Sequence, residues 1–153
     1  FGPLAGPVEN PAGQPLAALA PGSAMGRLCG GNLSLLAASL GTPWELDARG
    51  KLLFLEDVDE HVYRVDAMLT QLRNAGKFDD CAGVILGAWT NCVPEDPAVT
   101  LTLEEVFREL IVPAAKPVLP GLACGHTLPT ASLPLGAMAA MDADAGRLEV
   151  LPG

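Results

Sequence analysis

The stretch GKLLFLEDVDEHVYRVDAMLTQLRNAGKFDDCAGVILGAW, residues 50–89, decides the fold. Gly50 opens KLLFLED, a short run that is apolar at successive positions. A strand of that kind needs apolar cover on both faces, as strands in parallel sheets have. Residues 61–75 read as a helix, because Val62, Val65, Met68, Leu69 and Leu72 form one apolar stripe and Gly76 follows as a cap. CAGVILGAW, 81–89, reads as a second buried strand. Strand and helix therefore alternate through the middle of the chain.

Working outward, NLSLLAASLG (32–41) predicts a short helix with Asn32 as N-cap and Gly41 just past its end. Leu33, Leu36 and Leu40 would face the core, and Thr42-Pro43 stops the helix. Residues 1–26 carry five prolines and five glycines and read as a lead-in or linker, which leaves 27–153 as the domain. Periodic structure is expected only after Gly30-Gly31. Downstream, Thr102-x-x-Glu105 is a capping box for a helix that ends before Pro113. PVLPGLA (117–123) reads as a third strand, and 137–151 as a closing hairpin around Asp144-Ala145-Gly146. The order predicts an α/β domain, a mixed β-sheet with flanking helices.

Eighteen acidic against nine basic side chains give a net charge of −9. That balance repels phosphate backbones and anionic lipid, so neither nucleic acid nor a membrane surface is an expected partner. The 25 residues between Lys116 and Asp142 carry no formal charge, but four prolines and three glycines rule out a spanning helix there. Cys29, Cys81, Cys92 and Cys124 form no C-x-x-C pair, and with two histidines no zinc spacing arises, so no metal is expected. Reduced, buried thiols and the lack of any signal-like stretch from Phe1 onward point to the cytoplasm.

Two strand ends could carry chemistry. Glu56 and Asp57 close the strand KLLFLED, where α/β proteins place functional groups. They could equally be a solvated strand end, or Asp57 could cap the following turn. His126 follows the third strand in GLACGHTLPTASLPLG (121–136), with Gly125 beside it. Alone it could be a core histidine satisfied by a carbonyl. Together, a carboxylate accepting from one ring nitrogen would leave the other free as a general base. Ser23, Ser34, Ser39 and Ser132 include no G-x-S-x-G elbow, so only half a triad is legible. His61 in DEHVYR reads as a partly exposed surface residue, and Trp44 and Trp89 as packing residues.

Several blocks, in order, resemble the LD-carboxypeptidases: GGNLSLLAASLGTPWELD, GKLLFLEDVDEHVYRVDAMLTQLRNAGKFD, AGVILGAW and GLACGHTLPTASLPLGAMAAMD. These are the serine peptidases of family S66, which also includes microcin-immunity hydrolases. The resemblance runs from about Gly26 to about Leu151 and implies the family's C-terminal, swivelling β/β/α-type domain. It matches Glu56 to the triad glutamate and His126 to the triad histidine, and it places Asn32 in a block facing the substrate. It implies neither cofactor nor metal, and it allows a homodimer. The N-terminal domain with the nucleophilic serine is expected to be absent, since FGPL at the start resembles the segment just beyond that serine. The implied reaction of the intact enzyme is removal of the terminal D-alanine from an L,D-linked murein tetrapeptide in peptidoglycan recycling. Peptidyl-nucleotide hydrolysis is the alternative within the family. A non-catalytic binding domain that kept the fold is the alternative outside it.

Overall fold

A computed structural model describes residues 5–96 and 98–153. The opening FGPL, compared above with a family segment, lies outside the described residues. Among these residues, seven strands form one sheet in the order β1-β7-β6-β2-β3-β4-β5. They are β1 (Gly6–Pro7), β2 (Ser23–Asn32), β3 (Leu52–Val58), β4 (Gly83–Thr90), β5 (Val118–Leu119), β6 (Met138–Asp142) and β7 (Arg147–Val150). The run β2-β3-β4-β5 is parallel, whereas β6, β7 and β1 add antiparallel on the other side of β2. The helices are α1 (Leu33–Ser39), α2 (Val62–Asn74), α3 (Lys77–Asp80) and α4 (Leu103–Leu110), with a 3-10 turn at Val112–Ala114.

The double-sided apolar pattern of β3 has the expected cause. Leu53 and Leu55 face a core made with Val65, Leu69 and Leu72 of α2 and with Val106 and Leu110 of α4. Leu52 and Phe54 face a second core, closed by Leu122 and Cys124 of the loop after β5 and by Met141 and Leu148 of β6 and β7. α1 begins where Asn32 Oδ1 accepts from Leu35 N–H, and α4 begins on the complete Thr102–Glu105 capping box. No helix among the described residues is long and apolar enough to cross a membrane.

Three local expectations change. Strand β2 begins at Ser23, inside the stretch read as lead-in, and not after Gly30-Gly31. Its sequence, SAMGRLCGGN, hides the strand because glycine and alanine carry too little apolar surface to show an alternation. Expected strand 117–123 shrinks to Val118–Leu119, since Pro120 has no N–H for a ladder and the chain turns at Gly121. The stretch before β2 is also tied down: β1 pairs with β7, and Ala20 bridges Val118. All four cysteines are buried and free.

Candidate active site

Period-2 alternation sends Glu56 and Asp57 to opposite faces of the sheet. Glu56 follows Leu52 and Phe54 onto the face crossed by the loop after β5. Asp57 follows Leu53 and Leu55 toward α1. Both carboxylates are buried, at 4% and 2% exposure, so each requires partners.

Glu56 finds its partner in His126. Oε2 lies 2.8 Å from His126 Nδ1 and also accepts from the His126 backbone N–H at 3.2 Å. The acid is sequestered while the imidazole side chain is 58% exposed, so the pair sits at the floor of an open edge. Gly125 makes this approach feasible. Its φ is +112°, and a Cβ there would lie 2.5 Å from Glu56 Oε2. Thr90 Oγ1, at the end of β4, donates to the His126 carbonyl at 2.6 Å and holds the loop from the other side.

The electrostatics follow the geometry. The hydrogen bond that His126 donates to Glu56, and then the Glu56 charge, raise the His126 pKa above the ordinary value. Partial desolvation opposes this, and Asp57 and Asp59 reinforce it. With the carboxylate accepting, Nδ1 carries a proton, and in the neutral ring the free lone pair is then on Nε2. The same surroundings raise the Cys124 thiol pKa, chiefly through burial and then through Glu56. A buried thiol held protonated is a poor nucleophile.

Asp57 organises the neighbouring helix start. Its Oδ1 accepts from Asn32 Nδ2 and Val58 N–H, both at 2.9 Å, and its Oδ2 from Ser34 N–H at 3.0 Å and Ser34 Oγ at 2.7 Å. It is neither a solvated strand end nor merely the cap of the following turn. Asn32 lies opposite Glu56 in the β2–β3 register. Its amide spans Asp57 on one side and Leu35 N–H on the other, so its first duty is to begin α1. Ser34 is committed to Asp57 and, at 3.3 Å, to Glu60. Among the described residues no serine hydroxyl bonds to His126.

The remaining singled-out residues make their contacts elsewhere, although Trp89 lies beside Asp57 in the β3–β4 register. His61 is half-exposed and pairs with Glu95 at 3.1 Å. Trp89 packs on Phe107 with ring centroids 5.0 Å apart, whereas Trp44 is 83% exposed rather than packed. No cluster of metal-ligating groups occurs among the described residues. Thr90 and Asn10 were not legible as loop supports, because their partners lie 36 and more than 110 positions away.

Residues 25–141 match the model of the LD-carboxypeptidase C-terminal domain, and the chain belongs to that family. It is 50% identical over 128 residues to a probable murein peptide carboxypeptidase of Bacillus subtilis, covering 84% of this chain and 40% of that one. It is 32% identical over 126 residues to the microcin C7 self-immunity protein MccF of Escherichia coli, covering 80% and 36%. Among solved structures, muramoyltetrapeptide carboxypeptidase from Oxalobacter formigenes superposes with a TM-score of 0.77 at 32% identity, over 91% of this chain and 50% of that one. MccF superposes at 0.79 with 30% identity, over 90% and 41%. The chain thus spans well under half the length of these two curated relatives.

Proposed function

We propose that this chain supplies the glutamate and histidine of a Ser-His-Glu triad in a cytoplasmic serine LD-carboxypeptidase. The enzyme would remove the terminal D-alanine from L,D-linked murein tetrapeptides during peptidoglycan recycling. The observation that carries this reading is the 2.8 Å contact between buried Glu56 and exposed His126. A serine from a domain outside these residues attacks the scissile carbonyl, and His126 Nε2 takes its proton. The protonated ring then delivers that proton to the departing D-alanine amine. A water repeats the exchange on the acyl-enzyme and restores the serine. Glu56 holds the Nδ1–H tautomer and stabilises the imidazolium formed in each half-reaction. Asn32, whose second amide N–H has no partner among the described residues, offers a substrate contact beside Glu56. The 50% identity to a murein peptide carboxypeptidase supports the substrate class.

The test is D-alanine release from an L,D-linked tetrapeptide by the longer enzyme carrying this domain. His126→Ala should lower kcat by roughly 10³-fold or more, and the 153-residue chain alone should release nothing. Full activity of the His126→Ala enzyme would overturn the assignment. The MccF likeness, at a TM-score of 0.79, supports a second reading in which the scissile amide belongs to a peptidyl-nucleotide. Turnover of that substrate without D-alanine release would select it.

A further inference from the structure

The loop that carries His126 has almost no regular structure, so its backbone groups must find partners singly. β4 serves one side: Leu122 N–H donates to Leu86 O at 3.3 Å, and Ala88 N–H to Cys124 O at 2.9 Å. The other side is served by a side chain from the far end of the sequence. Asn10 Oδ1 accepts from Ala123 N–H at 3.0 Å, and Asn10 Nδ2 donates to Gly121 O at 3.2 Å. A carboxamide presents the same acceptor and donor as a peptide group. Asn10 therefore acts as a one-residue strand neighbour to a segment that β5 leaves unpaired.

The clamp is itself anchored. Nδ2 also donates to Gln14 O at 2.9 Å, and Gly13 N–H closes a turn on Asn10 O at 2.9 Å. Before Asn10, Val8 N–H bonds Leu148 O at 2.8 Å, and after it Leu19 N–H bonds Val118 O at 2.9 Å. Leu16 packs into the core beneath the loop. Two residues beyond Ala123, Gly125 lies tight against Glu56, so a shift at Ala123 reaches the pair with little slack.

We infer that Asn10 is a positioning residue, a side-chain strap that sets the His126 loop against Glu56; its catalytic meaning rests on the triad reading above. The segment that reads in sequence as a linker is on this view part of the scaffold of the site.

The chain has only two histidines, which makes the test direct. Ring NMR titration follows His126, with His61 as an internal control on fold. The charges acting on His126 are Glu56, Asp57 and Asp59, and none of them changes in an Asn10 variant. In Asn10→Ala the His126 pKa should move toward that of Glu56→Gln, with His61 unmoved. Hydrogen exchange at Ala123 N–H should speed up roughly tenfold. Asn10→Gln keeps the amide on a stem too long to hold both groups in register, and should show a smaller shift of the same sign. It decides the matter if Asn10→Ala does not fold. In the longer enzyme Asn10→Ala should lower kcat roughly three- to tenfold at a KM within about twofold, as misplacement of a reacting group does. Unchanged His126 titration and Ala123 exchange in a folded variant, or a change confined to KM, would overturn the inference. Activity that survives His126→Ala would sink the triad reading instead, while the NMR results would still judge the strap.

Discussion

Glu56 and His126 show how one buried carboxylate sets the state of an exposed ring. Water would hydrate His126 freely, yet its Nδ1 faces a buried acid whose hydrogen-bond partners among the described residues are the ring and backbone N–H of His126 itself. Its pKa is raised, so folded His126 holds a proton more tightly than the unfolded chain does. The sign of the linkage follows. The pair stabilises the fold fully below the ordinary histidine pKa of about 6.5, and that contribution is lost as pH rises through the higher folded value. Glu56→Gln keeps the shape and removes the charge, so the His126 pKa should fall in NMR titration. The Tm gap between parent and variant should be wider at about pH 5.5 than at about pH 8.5. An unchanged titration would mean that the two residues do not interact in solution.

α1 and β3 share an apolar core through Leu33, Leu53 and Leu55, and one polar side chain ties them together as well. Asp57 accepts four hydrogen bonds, three of them from the first residues of α1 or its cap. α1 is only seven residues long and would be marginal alone. Asp57→Ala would leave one Asn32 amide N–H, the Ser34 N–H and the Val58 N–H short of an acceptor in a nearly dry place, while the Ser34 hydroxyl keeps only its longer bond to Glu60. The expected loss is about 2–4 kcal/mol in denaturant unfolding. A loss under about 1 kcal/mol would mean that water replaces the carboxylate. Helices α2 and α4 were legible because stripe, cap and stop all lie within a few residues of one another. β2 was not, since a strand half of whose residues are Gly, Ala or Ser shows no alternation and is recognisable only from the neighbours that pair with it.

At the scale of the molecule, the site exists because a loop crosses β4 at very short range. Gly87 is the crossing point. A Cβ there would lie 2.5 Å from Cys124 O and 2.6 Å from the Phe54 ring. Gly87→Ala should push the loop off the sheet, cost about 1–3 kcal/mol as overpacking does, and loosen the Glu56–His126 pair although both residues are intact. A lower Tm together with a reduced His126 pKa would be seen. A fall in Tm with the titration preserved would show that the strain is absorbed elsewhere.

The residues alone determined the alternation of strand and helix through 50–89, the starts of α1 and α4, and the closing hairpin, because each depends on spacing or capping within one short segment. They also made Glu56 and His126 candidates, as polar groups at the ends of apolar runs. Tertiary structure decided the rest. It turned Glu56 to one face of the sheet and Asp57 to the other, brought His126 across 70 positions to Glu56, and made Asn10 the neighbour of Gly121 and Ala123. Such contacts need two surfaces that the chain creates only on folding. What sets them is which buried group lacks a partner once the cores have closed, and no local pattern in the sequence records that.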